Sequence, residues 1–96
     1  MLHVAIMLPD GRPALRGELD IQCVPALEAV LAQLNGQAEI DLSGVTFFDS
    51  CALRAFLTAR RQNVNVRIVN PSKAVVRVLE ITGTFDYLVH GGEVDW

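Results

Sequence analysis

Between Asp41 and Leu53 the chain changes its period. Ala38, Ile40 and Leu42 alternate with Glu39, Asp41 and Ser43, the two-residue repeat of a half-buried strand. From Asp49 onward the repeat becomes helical. Ala52, Leu53 and Phe56 fall on one side, with Arg54, Thr58, Arg61 and Gln62 sharing a polar face. Between the two, Gly44 to Phe48 reads as a short connection, and Asp49 is a natural N-cap for the helix that follows. A strand that feeds a helix carries the chain back across its own sheet. That is half of a βαβ unit, and it constrains the fold to parallel pairing with right-handed crossovers.

The flanking segments fit this plan. Leu2 to Leu8 and Ala14 to Leu19 read as strands joined through Pro9-Asp10-Gly11, a hairpin signal. Pro25 suits the first turn of a helix, where its missing N–H costs little, and Leu27, Val30, Leu31 and Leu34 form its apolar stripe up to Asn35-Gly36. Val66 to Val69 is a further strand. Asn70-Pro71-Ser72 opens a helix whose stripe is Val75, Val78 and Leu79, with Gly83 as its stop. The tail from Phe85 adds a final strand or a half-turn. The order is ββαβαβα: an α/β fold with a mixed, mostly parallel sheet of four or five strands and three to four helices.

Composition narrows the function classes. Ninety-six residues fit one domain, 1–96, that buries about two-thirds of its unfolded surface. A net charge of −3, with no basic cluster larger than Arg60-Arg61, argues against nucleic acid as a partner. The apolar run Leu2 to Pro9 is too short for a membrane span and lacks the basic flank of a signal peptide, so the expected location is the cytoplasm. Cys23 and Cys51 lack zinc-ligand or CxxC spacing and are expected to be free thiols, and His3 and His90 stand at opposite ends of the chain. No cofactor or metal is expected.

Four segments, in order, resemble the STAS domain of bacterial anti-sigma-factor antagonists. Gly17-Glu18-Leu19-Asp20 is similar to the family's G-E-L-D, Asp41-Leu42-Ser43-Gly44-Val45 to its D-L-S-G-V, and Phe48-Asp49-Ser50 to the F/I-D-S that opens its key helix. Asn70-Pro71 followed by Val75 to Gly83 resembles the closing N-P…V-x-R-V-L-E-L-T-G. The resemblance covers residues 14 to 88. It implies a protein-interaction module whose partner is an anti-sigma factor serine kinase, bound in unmodified form and released on phosphorylation. The resemblance implies Asp20, Asp49, Ser50, Cys51 and Ala52 as partner-binding residues, and Arg54 joins them if this helix is the docking surface, because arginine is enriched at interfaces.

One position departs from the family. Its Asp-Ser-Ser-Gly is here Asp49-Ser50-Cys51-Ala52, so a thiol stands where the family carries its phosphorylated serine. Ser50 keeps a hydroxyl one residue earlier, rotated by about 100° on a helix, and is a weak substitute. Ala52 adds a methyl where the family has none, at a point where a partner would approach closely. The loss of the serine gives weight to a second assembly, a non-phosphorylated STAS scaffold such as the small partner of an ABC transporter ATPase. An enzyme with Cys51 as nucleophile would need His3 or His90 as a base together with an orienting group. An inert small residue filling the serine's space is the simpler account of Cys51. Cys23 reads as a buried small hydrophobe, and Asp41, mid-strand, as a carboxylate held by loop backbone.

Overall fold

A computed structural model describes residues 2–7, 13–33, 37–62 and 65–90. Four strands, β1 (Leu2–Met7), β2 (Pro13–Leu19), β3 (Gln37–Phe48) and β4 (Asn65–Val69), form one sheet in the order β1-β2-β3-β4. β1 pairs antiparallel with β2, while β2, β3 and β4 run parallel. A 3-10 turn (Ile21–Cys23) and α1 (Val24–Ala32) link β2 to β3. α2 (Ser50–Arg61) links β3 to β4, and α3 (Lys73–Thr82) and α4 (Phe85–Val89) follow. This is the expected α/β order. The tail from Phe85 is a short helix rather than a strand, and the Pro9-Asp10-Gly11 and Asn35-Gly36 turns lie outside the described residues.

Local chemistry accounts for the three longer helices. α1 has proline in its first turn and buries Leu27 and Leu31, while Val30 is half-buried and packs against the core. α2 buries Ala52, Leu53, Ala55, Phe56 and Ala59. Three alanines on that stripe let the helix approach the sheet closely, and the Phe56 ring meets Phe48 with centroids 6.0 Å apart. Burying Phe56 completely contributes about 2–3 kcal/mol before packing is counted. Ser72 caps α3, which buries Val75 and Leu79 and ends at Gly83 with φ +72°, the left-handed conformation that glycine adopts without strain.

The sheet is amphipathic. Leu15, Leu19, Ile40, Leu42, Val66 and Ile68 face the helix layer. Arg16, Glu18 and Arg67 are exposed, and an Arg67–Glu39 ion pair crosses β4 to β3 on exposed side chains. Gly44 lies opposite Arg16, and the Arg16 stem fills the space where a side chain would sit; a Cβ there would fall 2.8 Å from Arg16 Cγ.

β3 corrects the sequence reading at one place. Gly44 to Phe48 is not a connection but the second half of a twelve-residue strand. Its alternation is broken because β3 carries two extra residues relative to β2: Ala14 pairs Asp41 but Arg16 pairs Gly44, and Gly17 pairs Val45 but Glu18 pairs Phe47. Each bulge shifts the inward position by one residue. The core-facing series therefore runs Leu42, Val45, Phe48, with a spacing of three where a regular strand has two.

β4 reaches only the first half of β3, its last pair being Asp41 with Val69. The chain then turns over β3, and the Ser72 N–H donates to the Leu42 carbonyl at 3.3 Å. Asp41 secures this junction. It is 6% exposed, and its Oδ1 accepts from the Ser43 N–H (2.9 Å) and hydroxyl (2.6 Å) while its Oδ2 accepts from the Asn70 amide (2.8 Å). Asn70 has φ +50°, a left-handed conformation that asparagine tolerates better than most residues. The carboxylate thus binds side chains as well as backbone.

On the far side of the helix layer, Arg60 donates to the carbonyls of Val66 (3.3 Å) and Tyr87 (2.8 Å), and its guanidinium lies 4.2 Å from the Tyr87 ring centroid. One side chain thereby joins α2, β4 and α4.

Asp41→Ala strips a buried junction of charge-assisted hydrogen bonds, each worth about 1.5–3 kcal/mol when its partners cannot turn to water. The expected loss of stability is about 2 kcal/mol, measured by urea unfolding with an unchanged m-value.

Candidate functional site

The register of β2 and β3 builds the site. Leu19 pairs with Phe48, so Asp20 and Asp49, the next residue on each strand, leave the sheet side by side at its carboxyl end. Parallel strands are about 4.8 Å apart, and ligands of open α/β sheets are taken up at this end of the strands. The two aspartates share one backbone conformation, φ −112°, ψ −175° at Asp20 and φ −122°, ψ −179° at Asp49, and each caps the turn that follows. Asp20 Oδ1 accepts from the Gln22 N–H at 3.0 Å. Asp49 Oδ1 accepts from the N–H groups of both Cys51 and Ala52 at 3.0 Å.

The other sequence-selected residues separate on α2. Ser50 and Arg54 are exposed and Cys51 is half-buried. Ala52 is fully buried in the core, so its methyl faces the sheet and not an approaching partner. Helix geometry requires this: Ala52 lies on the stripe of Ala55, Phe56 and Ala59, while Ser50 and Arg54, four residues apart, share the outer face. The surface at this end of the molecule therefore comprises Asp20, Asp49, Ser50, Cys51 and Arg54.

Two of the N–H donors in the first turn of α2 are already engaged. The Cys51 and Ala52 N–H groups both go to the Asp49 carboxylate, and the Leu53 N–H donates to the Asp49 carbonyl at 3.0 Å. A negative group on residue 51 would meet a carboxylate that already holds two of the donors a helix N-terminus offers.

The two thiols differ. Cys23 is 4% exposed, and its Sγ donates to the carbonyl of Asp20 at 3.0 Å and to that of Glu18 at 3.6 Å. Burial raises its pKa above the ordinary thiol value; the hydrogen bond to Asp20 acts against that shift and the Asp20 charge adds to it. Cys23 thus fastens the turn that carries Asp20, which is more than filling space. Cys51 is free and reaches the surface. His90 packs edge-on against Phe85 on α4, with ring centroids 5.5 Å apart, and the side chain of His3 lies outside the described residues. Among the described residues no group of three metal-ligating side chains gathers, and no helix is long and apolar enough to cross a membrane.

Sequence reasoning missed two apolar residues here. Ile21, directly after Asp20, is 66% exposed, and Phe47, two residues before Asp49, is 47% exposed. Phe47 was detectable in principle: adjacent residues of a strand point to opposite faces, so Phe47-Phe48 cannot both be core.

Mixed sheet, helix layer and paired caps at the strand ends are the architecture of a small α/β domain of the STAS type. The chain matches the family model described as "Mlab, STAS domain" over residues 9–90, and it belongs to the STAS-domain family. It is also 36% identical over 85 residues to an anti-sigma-B factor antagonist of Staphylococcus epidermidis, an alignment spanning 80% of this chain and 78% of that protein. The same protein from two strains of that species gives the same figures.

Asp49→Ala removes the acceptor of two N–H groups. A loss of about 1 kcal/mol is expected, with faster hydrogen exchange confined to the Cys51 and Ala52 amides. A maleimide should label Cys51 in the native protein and Cys23 only after unfolding, read by intact mass with and without denaturant.

Proposed function

We propose that this chain is a protein-interaction module of the anti-sigma-factor-antagonist kind, acting as one domain in the cytoplasm and carrying out no catalysis. Its partner is an anti-sigma factor serine kinase, and its contact surface is the rim formed by Asp20, Asp49, Ser50, Cys51 and Arg54. The observation that carries this reading is the Leu19–Phe48 register, which sets two carboxylates beside the first turn of α2. The likeness to an anti-sigma-B factor antagonist supplies the class of partner.

Conventional phosphorylation at the family position is absent in this reading. A serine kinase transfers phosphate to a hydroxyl, and residue 51 offers a thiol. The Ser50 hydroxyl points about 100° away around the helix. Binding would then be governed by the amount of each partner rather than by a covalent mark. The missing serine also supports the second reading, a permanent STAS scaffold such as the partner of an ABC transporter ATPase. In that case the same rim would bind without release.

The test pairs this chain with the anti-sigma kinase encoded in its own genome, using calorimetry for binding and intact mass for phosphate. Wild type should bind and take up no phosphate, and Cys51→Ser should take up phosphate and bind more weakly once modified. Asp49→Lys should weaken binding about tenfold or more, since reversing a charge at an interface replaces attraction with repulsion. Efficient phosphate incorporation into wild type at Ser50, or equal binding by Asp49→Lys, would sink the proposal.

A further inference from the structure

A second surface lies on the outer side of α3. Lys73, Arg77 and Ile81 follow one another at four-residue steps, a line with about 6 Å of rise between neighbours. Beside them Pro71, Val76 and Glu80 complete the lining of an open groove of about 350 Å³. Ile81 is 78% exposed, the most exposed large apolar side chain among the described residues. Val76 is half-buried in the groove wall.

The charged side chains lining the groove are Lys73, Arg77 and Glu80. Among the described residues, Lys73 and Arg77 make no ion pair or hydrogen bond, as is also true of Arg16 and Arg54, whereas Arg60 and Arg67 are engaged. Lys73 and Arg77 are the two of these that stand one helical turn apart beside a groove. The chain carries a net charge of −3, whereas this lining sets two cations against the single carboxylate of Glu80, a local excess of positive charge. The rim at Asp20 and Asp49 has the opposite character.

We propose that this face of α3 is a second docking surface, and that its occupant is an acidic amphipathic segment of a partner protein. Carboxylates one helical turn apart pair with Lys73 and Arg77, and an aliphatic side chain one turn further on enters the groove against Val76 and Ile81. Charge complementarity favours such a segment, since two of the three charged groups lining the groove are cations, and the groove has room for one large side chain. The proposal stands apart from the rim and from the kinase reading. It makes the domain a connector able to hold two proteins of opposite surface charge.

The probe is a fluorescein-labelled helical peptide with glutamates one turn apart and a leucine one turn beyond, titrated into the whole chain. Anisotropy follows affinity, and amide shifts of the isotope-labelled protein locate the contact. Saturable binding is expected, weakening as salt rises, with shifts confined to Ser72 through Gly83. The doubly charge-reversed K73E/R77E should lose at least tenfold in affinity, and so should Ile81→Asp. All three positions are exposed, and circular dichroism verifies that the variants fold. The inference is overturned by an absence of saturable binding, by shifts centred on Asp20 and Asp49, or by equal affinity for K73E/R77E. It is also overturned if wild type forms a dimer that Ile81→Asp abolishes, which assigns the face to a second copy. Binding to phosphatidylglycerol vesicles that is lost in K73E/R77E, with no binding of the peptide, would assign it to a membrane.

Discussion

The pairing of β2 with β3 is the interaction on which everything else rests. It is parallel, so its two strands end at the same edge of the sheet, and the chain must leave each of them into a helical turn. With the register ending at Leu19–Phe48, the two exits are neighbours and take the same extended conformation. A slip of one residue would separate Asp20 from Asp49 and also turn Leu19 or Phe48 out of the core. Core and site are therefore protected by the same constraint: the apolar residues that hold the register hold the carboxylates too.

Two bulges in β3 reconcile that register with a longer strand. β2 spends six residues from Ala14 to Leu19 where β3 spends eight from Asp41 to Phe48. Beyond Asp41, β3 also loses β4 as a neighbour, and the Asn70-Pro71-Ser72 turn takes its place. Asp41 stands where both irregularities begin. Its two oxygens bind the bulged strand through Ser43 and the incoming turn through Asn70, which explains a buried carboxylate in mid-strand.

Much of this was legible in the residues. The helix caps at Asp49 and Ser72, the stop at Gly83, the proline of α1 and the stripes of α2 and α3 follow from local chemistry, and local chemistry survives in one dimension. The second half of β3 did not follow, because bulges erase the two-residue period by which a strand is recognised. The inward turn of Ala52 was readable from the helical period that groups it with Leu53 and Phe56, and it is the likeness to a family glycine that wrongly put Ala52 on the partner-facing surface. Of the site, the identities of Asp20 and Asp49 were readable from resemblance. Their adjacency was not, since it depends on strand register across a gap of nearly thirty residues. The exposure of Ile21 and Ile81 likewise depends on what fails to pack over them.

The state of residue 51 has a physical meaning that follows from the cap. In a helix with free N-terminal donors, an added phosphate is stabilised by the N–H groups it meets. In α2 the Asp49 carboxylate already occupies two of those donors, so a phosphate on residue 51 would be set against a fixed negative charge. It could be accommodated only by displacing the cap, at a cost of about 1 kcal/mol, or by pointing outward into the partner's space. In either case the modification acts by disturbing the rim rather than by completing it. A thiol at the same position leaves the cap, the rim and the neutral contact intact. On the proposed reading, Cys51 keeps the surface while offering a serine kinase no hydroxyl to modify.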